Sequence, residues 1–162
     1  MNALNLNYVN RLAPYKVWSD DGCDYYVETD RGYLFKVGFM EDYAIWQSGA
    51  YQLTINNESS FASPNDAHLR DTFYRLFEAF FAANPDILLY ICETGDDRQK
   101  YRQRLFIRWF NSYPHHRLYV METAEIVAEG EENFAAMIVQ RSNPHLPEIL
   151  SEFKETINLL KK

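Results

Sequence analysis

In the segment DILLYICE, residues 86–93, apolar side chains follow one another without interruption from Ile87 to Cys92. A strand with one face in water alternates apolar and polar residues, whereas a strand covered on both faces is apolar throughout. We therefore predict a central β-strand here, with the rest of the fold arranged around it.

The segment before this strand, SPNDAHLRDTFYRLFEAFFAANP (residues 63–85), has the pattern of an amphipathic helix. Ser63 is the predicted N-cap, with Pro64 at the first helical position and Asp66 at capping-box spacing. The residues Asn84-Pro85 should end the helix. Five apolar side chains fall on one helical face: Leu69, Phe73, Leu76, Phe77 and Phe80.

Further toward the N-terminus, YYVETDRGYLFKVGF (residues 25–39) alternates in the manner of two strands joined by a turn. Gly32 can adopt the positive φ that such a turn requires, so we predict a β-hairpin. A third strand is predicted over residues 51–56. Residues 1–20 show no clear period and are expected to form a loosely ordered arm or a short extended segment.

After the central strand we predict a helix over residues 97–113, a strand pair over residues 117–128 and 133–141, and a last helix over residues 146–162. The element order is then β-β-β-α-β-α-β-β-α. This order indicates one α+β domain over residues 1–162, with a single mixed or mostly antiparallel sheet of about six strands packed with three helices. The helices could cover one face of the sheet, or both faces of the central strand.

A charged cluster marks the junction between the central strand and the helix that follows it. On a helical wheel at about 100° per residue, Arg98 and Arg102 both fall on the predicted buried face. A buried guanidinium group without a partner is very costly. We therefore expect negative charge nearby, and Glu93, Asp96 and Asp97 are the adjacent candidates.

Three interpretations of this cluster remain open. It could be a local salt-bridge network, with Asp96 or Asp97 capping the helix. It could bind an anionic ligand, because a helix N-terminus supplies free N–H groups and arginine suits carboxylate or phosphate. It could also dock another protein.

Composition excludes several functional classes. The net charge of −7 disfavours nucleic acid and anionic membrane surfaces as partners. No stretch resembles a signal peptide or a membrane span, and Cys23 and Cys92 form no metal or redox motif. We expect a cytoplasmic protein with no cofactor, no metal and no complete catalytic set.

The aromatic hairpin together with YICETGDDRQKYRQRLFIRWF (residues 90–110) resembles a family of small bacterial proteins of unknown function, frequent in Bacteroidota. The likeness runs from about Tyr25 to the end of the chain. It implies a compact intracellular bacterial protein and supplies no catalytic residues.

Aromatic residues make up 16% of the chain, and those that are not in the core would mark a contact surface. Together with the lack of a catalytic set, this favours a non-enzymatic module that binds a protein partner or itself. The alternative is an enzyme or small-molecule sensor that binds an anionic ligand near Arg98 and Arg102.

Overall fold

The structure is a computed structural model that describes residues 1–43, 46, 49–60, 63–92, 98–128 and 130–161. Within these residues the fold is α+β, with a mixed sheet of seven strands and four α-helices. The elements in chain order are α1 (Leu6–Leu12), β1 (Val17–Trp18), β2 (Asp24–Glu28), β3 (Leu34–Glu41), β4 (Ala50–Asn57), α2 (Ala67–Ala83), β5 (Ile87–Cys92), α3 (Gln99–Ser112), β6 (Tyr119–Ala128), β7 (Glu131–Gln140) and α4 (Leu146–Leu160).

The strand order in the sheet is β1-β2-β3-β4-β5-β7-β6. The chain divides into two compact units, one of Met1–Met40 with Leu53–Pro85 and the other of Glu41–Gln52 with Asp86–Lys162. The observed element order differs from the predicted one by two additional elements, α1 and β1, which both lie in the first twenty residues.

In the first unit, β2 and β3 form the predicted antiparallel hairpin, with Val27 opposite Phe35. Gly32 lies in the turn with φ +82°, a conformation that a side chain would strain. The buried face of this hairpin carries Tyr25, Val27 and Phe39, and Phe39 stacks on Phe80 of α2 at 5.0 Å. The alternation in the sequence therefore assigned the hairpin faces correctly.

For residues 1–20, predicted to form a loosely ordered arm or a short extended segment, the structure shows helix α1 and the short strand β1. Two hydrogen bonds join the side chain of Asn10 to the backbone of Val17. The Val17 N–H donates to Asn10 Oδ1 (2.8 Å), and Asn10 Nδ2 donates to the Val17 carbonyl (2.9 Å). The buried amide of Asn84 similarly exchanges hydrogen bonds with the backbone of Asn2. Because the contact between Asn2 and Asn84 joins residues 82 positions apart in the sequence, no local periodicity reveals it.

The N-cap prediction for α2 is also wrong by three residues. Asp66 is the cap, and its Oδ1 accepts hydrogen bonds from the N–H groups of His68 (2.9 Å) and Leu69 (3.2 Å). The Ser63 hydroxyl instead donates to the Pro64 carbonyl. Helix α2 ends at Ala83, before Asn84 and Pro85, as predicted.

In the second unit, β5 pairs antiparallel with β7, and β7 pairs antiparallel with β6. Alternate residues of β5 enter two separate cores. Ile87 and Leu89 pack with Ile149 and Phe153 of α4, while Cys92 packs on the other side, against α3. This arrangement confirms a strand covered on both faces.

Candidate functional site

The predicted site lies where β5 ends at Cys92 and α3 begins at Gln99. Its three acidic candidates, Glu93, Asp96 and Asp97, fall outside the described residues. The described part of this junction comprises the last residues of β5 and the two arginines.

Arg98 does not point inward. It occupies the N-cap position of α3 with φ −102° and ψ 3°, makes no side-chain cap hydrogen bond and is exposed to solvent. The prediction that both guanidinium groups are buried is thus wrong for Arg98.

Arg102, one turn later, is half-buried. Its guanidinium group lies near enough to the Cys92 thiol to lower the pKa of that thiol, as the hydroxyl group of Tyr90 also does. Tyr90 and Cys92 share one face of β5 because side chains two residues apart on a strand point the same way. The three side chains form a polar cluster between β5 and α3.

Burial controls the ionisation of this cluster. Burial raises the pKa of the Cys92 thiol, although the Tyr90 and Arg102 hydrogen bonds act in the opposite direction. Burial, together with the hydrogen bond to Cys92, also raises the pKa of Tyr90. At neutral pH the thiol is protonated, and its side chain is only 3% exposed. A neutral, enclosed thiol is a poor nucleophile, because the thiolate is the reactive form.

The true phase of α3 explains why Arg98 points outward. Phe106 stacks on Tyr90 with ring centroids 4.1 Å apart, and Gln103 Nε2 donates to Glu125 Oε1 at 3.1 Å. The Gln99 side-chain amide donates to the carbonyl oxygen of Glu132. Relative to the predicted wheel, the inward face is rotated by roughly a quarter turn.

The aromatic content of α3 caused this error. A helical wheel that turns the aromatic residues inward puts Tyr101 on the same face as Arg98, but the Tyr101 side chain is 54% exposed. No residue of α3 is fully buried, so its apolar residues do not trace a single inward stripe. In such a helix, polar side chains such as Gln103 can face the sheet.

A second candidate surface is the outer edge of β6, which the sequence reasoning did not identify. β6 closes the strand order, with β7 beside it, and the register from Tyr119 opposite Gln140 to Ala128 opposite Glu131 has no interruption. Thr123, Glu125 and Val127 are exposed along it. The absence of Pro and Lys from YVMETAEIVA (residues 119–128) was a usable signal, but the sequence does not reveal which strand lies at the edge.

A cavity of about 290 Å³ opens in the first unit, between the turn of the β2–β3 hairpin and the start of α2. Tyr15 lies at its wall and its hydroxyl donates to Asp66 Oδ2 at 2.7 Å, while its ring meets the His68 ring edge-on at 5.8 Å. Burial, together with this hydrogen bond, raises the pKa of Tyr15 to about 12. The hydroxyl group therefore stays protonated as a donor throughout the physiological range.

The described part of the chain has no group of three His, Cys, Asp or Glu side chains placed to hold a metal ion. Among the same residues, no helix has both the length and the apolar character needed to cross a membrane.

Two comparisons with known proteins bear on the identity of the chain. None of the curated proteins matches it. Residues 65–155, more than half of the sequence, match the model of a family of unknown function. This matched region begins one residue before the cap of α2 and includes β5, α3, β6 and β7. The chain therefore belongs to the family of unknown function DUF6169.

Proposed function

We propose that the protein is a non-enzymatic interaction module that binds an extended protein segment by strand addition along the outer edge of β6. The observation that carries the proposal is the length of this edge, ten residues in an unbroken register. An edge strand presents a row of backbone N–H and C=O groups that can pair with another chain.

The two ends of the strand order differ in the features that normally keep a sheet edge from pairing, and this difference supports the proposal. Natural edge strands are kept short, or carry Lys, Pro or a bulge that prevents pairing. At the other end of the strand order, β1 has only two residues. β6 is five times longer and contains neither Lys nor Pro. Its charged residues are Glu122 and Glu125, and Gln103 holds the second of these by a hydrogen bond.

Exposed apolar side chains flank the same edge. Leu118 and Val127, at the two ends of β6, are each 62% exposed. In strand addition the backbone supplies affinity, while alternate side chains provide specificity. The partner that fits is therefore an extended segment with apolar residues near both ends and no acidic residues opposite Glu122 or Glu125.

The experiment compares two charge-matched variants of the tagged protein in capture from cell extract. Thr123→Lys places a lysine on the β6 edge, whereas Asn111→Lys places the same charge on an exposed position of α3. We expect binding to be lost with Thr123→Lys and kept with Asn111→Lys. Equal recovery by both variants, or no specific recovery by the wild type, would contradict strand addition.

A second candidate function is binding of an anionic ligand near Arg98 and Arg102, with Glu93, Asp96 and Asp97 as the neighbouring acidic residues. Two observations favour it. The first turn of α3 contains no acidic side chain, and the guanidinium group of Arg102 lies near the neutral thiol of Cys92 at the end of β5. A helix N-terminus next to such a group suits phosphate or carboxylate.

A thermal-shift screen with phosphate, nucleotides and organic acids tests this candidate. A ligand present at about 100 times its Kd should stabilise the fold by about 2.7 kcal/mol. Arg102→Ala should remove the shift, while Arg104→Ala, an exposed position on the same helix, should keep it. If no anion raises Tm, or if Arg102→Ala unfolds the protein, the structural interpretation of Arg102 is favoured.

A further inference from the structure

We infer that the segment bound by β6 is the β6 strand of a second copy of the chain, paired antiparallel about a two-fold axis at Thr123. This inference rests on the proposed strand addition and names its partner. It follows from the sequence of β6 and from the faces that its side chains occupy.

Symmetry limits the possible registers. When two identical strands pair antiparallel about an axis normal to the sheet, each residue faces one that points to the same side. The axis must therefore pass through a residue of β6. An axis at Glu122 or Glu125 would place a carboxylate directly opposite its own copy, which is destabilising. Thr123 and Ala124 are the two central positions that avoid this.

The side chains favour Thr123 over Ala124. An axis at Ala124 would place the Glu122 carboxylate opposite Ile126, which belongs to the apolar core beneath α4. An axis at Thr123 leaves Glu122 opposite a small residue and gives the exposed Val127 an aromatic partner, a favourable cross-strand pair. With the axis at Thr123, the facing pairs are Tyr119 with Val127, Val120 with Ile126, Met121 with Glu125, and Glu122 with Ala124.

The net charge of the chain predicts how the stability of this dimer depends on salt concentration. Each copy carries −7, so two copies repel one another at long range. Added salt screens that repulsion but leaves the backbone hydrogen bonds and apolar contacts of the edge in place. We therefore expect the dimer to strengthen as salt is raised, whereas a basic partner would bind less tightly.

Cysteine cross-linking tests the register on the purified protein. The native Cys23 is exposed and would interfere, so it is first replaced by serine, while the buried Cys92 is kept. In this background, Thr123→Cys places two thiols opposite each other, with Cα atoms about 4.5–5.5 Å apart, a separation that a disulfide can span. Mild oxidation should give a covalent dimer.

Val127→Cys is the matched control, because Val127 is exposed on the same face of the same strand. In the inferred register, position 127 of one copy lies eight residues along the strand, about 27 Å, from position 127 of the other copy. The two thiols therefore cannot form a disulfide. Sedimentation should show a dimer in the wild type that Thr123→Lys weakens by about tenfold or more, since two lysines would then face each other.

The outcomes separate this inference from the proposed function. A dimer that cross-links through Thr123→Cys and not through Val127→Cys supports both. Preferential cross-linking through Ala124→Cys or Val127→Cys overturns the register. A wild-type protein that is monomeric at every salt concentration overturns self-pairing, whereas strand addition to a different protein fails only if edge-dependent capture is also absent.

Discussion

At the scale of single residues, the Tyr15 hydroxyl group ties the segment before β1 to the start of α2. It donates to the Asp66 carboxylate at 2.7 Å. Asp66 is not close to Tyr15 in sequence, so only the fold reveals the link.

Tyr15→Phe should destabilise the protein by about 1–2 kcal/mol, because the Asp66 oxygen loses a charge-assisted hydrogen bond. The folded-state pKa of about 12 lies above the ordinary value of 10. The contribution of the hydroxyl group is therefore fully present below pH 10 and is lost as the pH rises through about 12.

Urea unfolding of wild type and Tyr15→Phe at a series of pH values measures this difference. The exposed Tyr101 provides the control, and Tyr101→Phe should change stability by less than about 0.5 kcal/mol. A difference between wild type and Tyr15→Phe that grows as the pH rises above 10 would contradict the assignment of the raised pKa.

Gly49 is a second residue whose identity the structure explains. A Cβ atom built on it would lie 2.7 Å from Asp86 Cγ and closer still to Asp86 Oδ1. The Gly49 carbonyl accepts a hydrogen bond from Ile87 N–H at 3.0 Å, which holds the two segments together at the start of β5. Burial raises the pKa of Asp86, consistent with its confined carboxylate.

Gly49→Ala should therefore destabilise the protein by about 1–3 kcal/mol through overpacking against this carboxylate. The reduced chain entropy of alanine in the unfolded state would favour the variant by about 0.4–1 kcal/mol and does not cancel the clash. A double-mutant cycle with Asp86→Ala isolates the contact. If Gly49→Ala costs as much in the Asp86→Ala background as in the wild type, the clash is not with Asp86.

At the scale of elements, the first turn of α2 shows how a cap is chosen. Ser63, Pro64 and Asp66 together match a capping box, and the pattern alone favours a start at Ser63. In the fold, the helix starts three residues later, because the Asp66 carboxylate caps the helix with one oxygen and accepts from Tyr15 with the other. A tertiary hydrogen bond thus fixes which of two local candidates is the cap.

Asp66→Ala should cost about 0.5–2 kcal/mol from the lost cap alone, and more when the Tyr15 hydrogen bond is included. Ser63→Ala should remain within about 0.5 kcal/mol of wild type. Chemical denaturation of both variants measures the difference. If both variants lose equal unfolding free energy, or if Ser63→Ala loses more, the helix would instead start at Ser63.

The rotation of α3 about its own axis is also decided at the scale of elements. A helical wheel gives relative angles between side chains, but contacts with the sheet set the absolute rotation of the helix. In α3 those contacts are the stack of Phe106 on Tyr90 and the hydrogen bonds of Gln99 and Gln103. Arg102 lies close enough to this face to reach Cys92, whereas Arg98, one turn earlier at the helix end, does not turn inward.

At the scale of the whole molecule, we expect the chain to unfold as a single domain, as its length suggests. Strand β4 supplies residues 50–52 to the second unit and residues 53–57 to the first. Neither unit therefore contains a complete β4 by itself, which favours one cooperative transition over two.

Differential scanning calorimetry provides the test. A single transition should be observed, with equal calorimetric and van't Hoff enthalpies and an unfolding enthalpy of about 110 kcal/mol for a chain of this length. If Tyr15→Phe and Gly49→Ala each shift a different one of two resolved transitions, the units unfold independently and the single-domain prediction is wrong.

The sequence by itself determined the elements that are specified by residues close together in the chain. The unbroken apolar run from Ile87 to Cys92 predicted a strand covered on both faces. The alternation on either side of Gly32 predicted the first hairpin, and the apolar segments at residues 117–128 and 133–141 predicted a strand pair. Only the tertiary structure decided the folding of residues 1–20, the rotation of α3 and the position of β6 at the sheet edge. Each of these depends on contacts between residues far apart in the chain, such as Asn84 with Asn2, and local periodicity carries no record of such contacts.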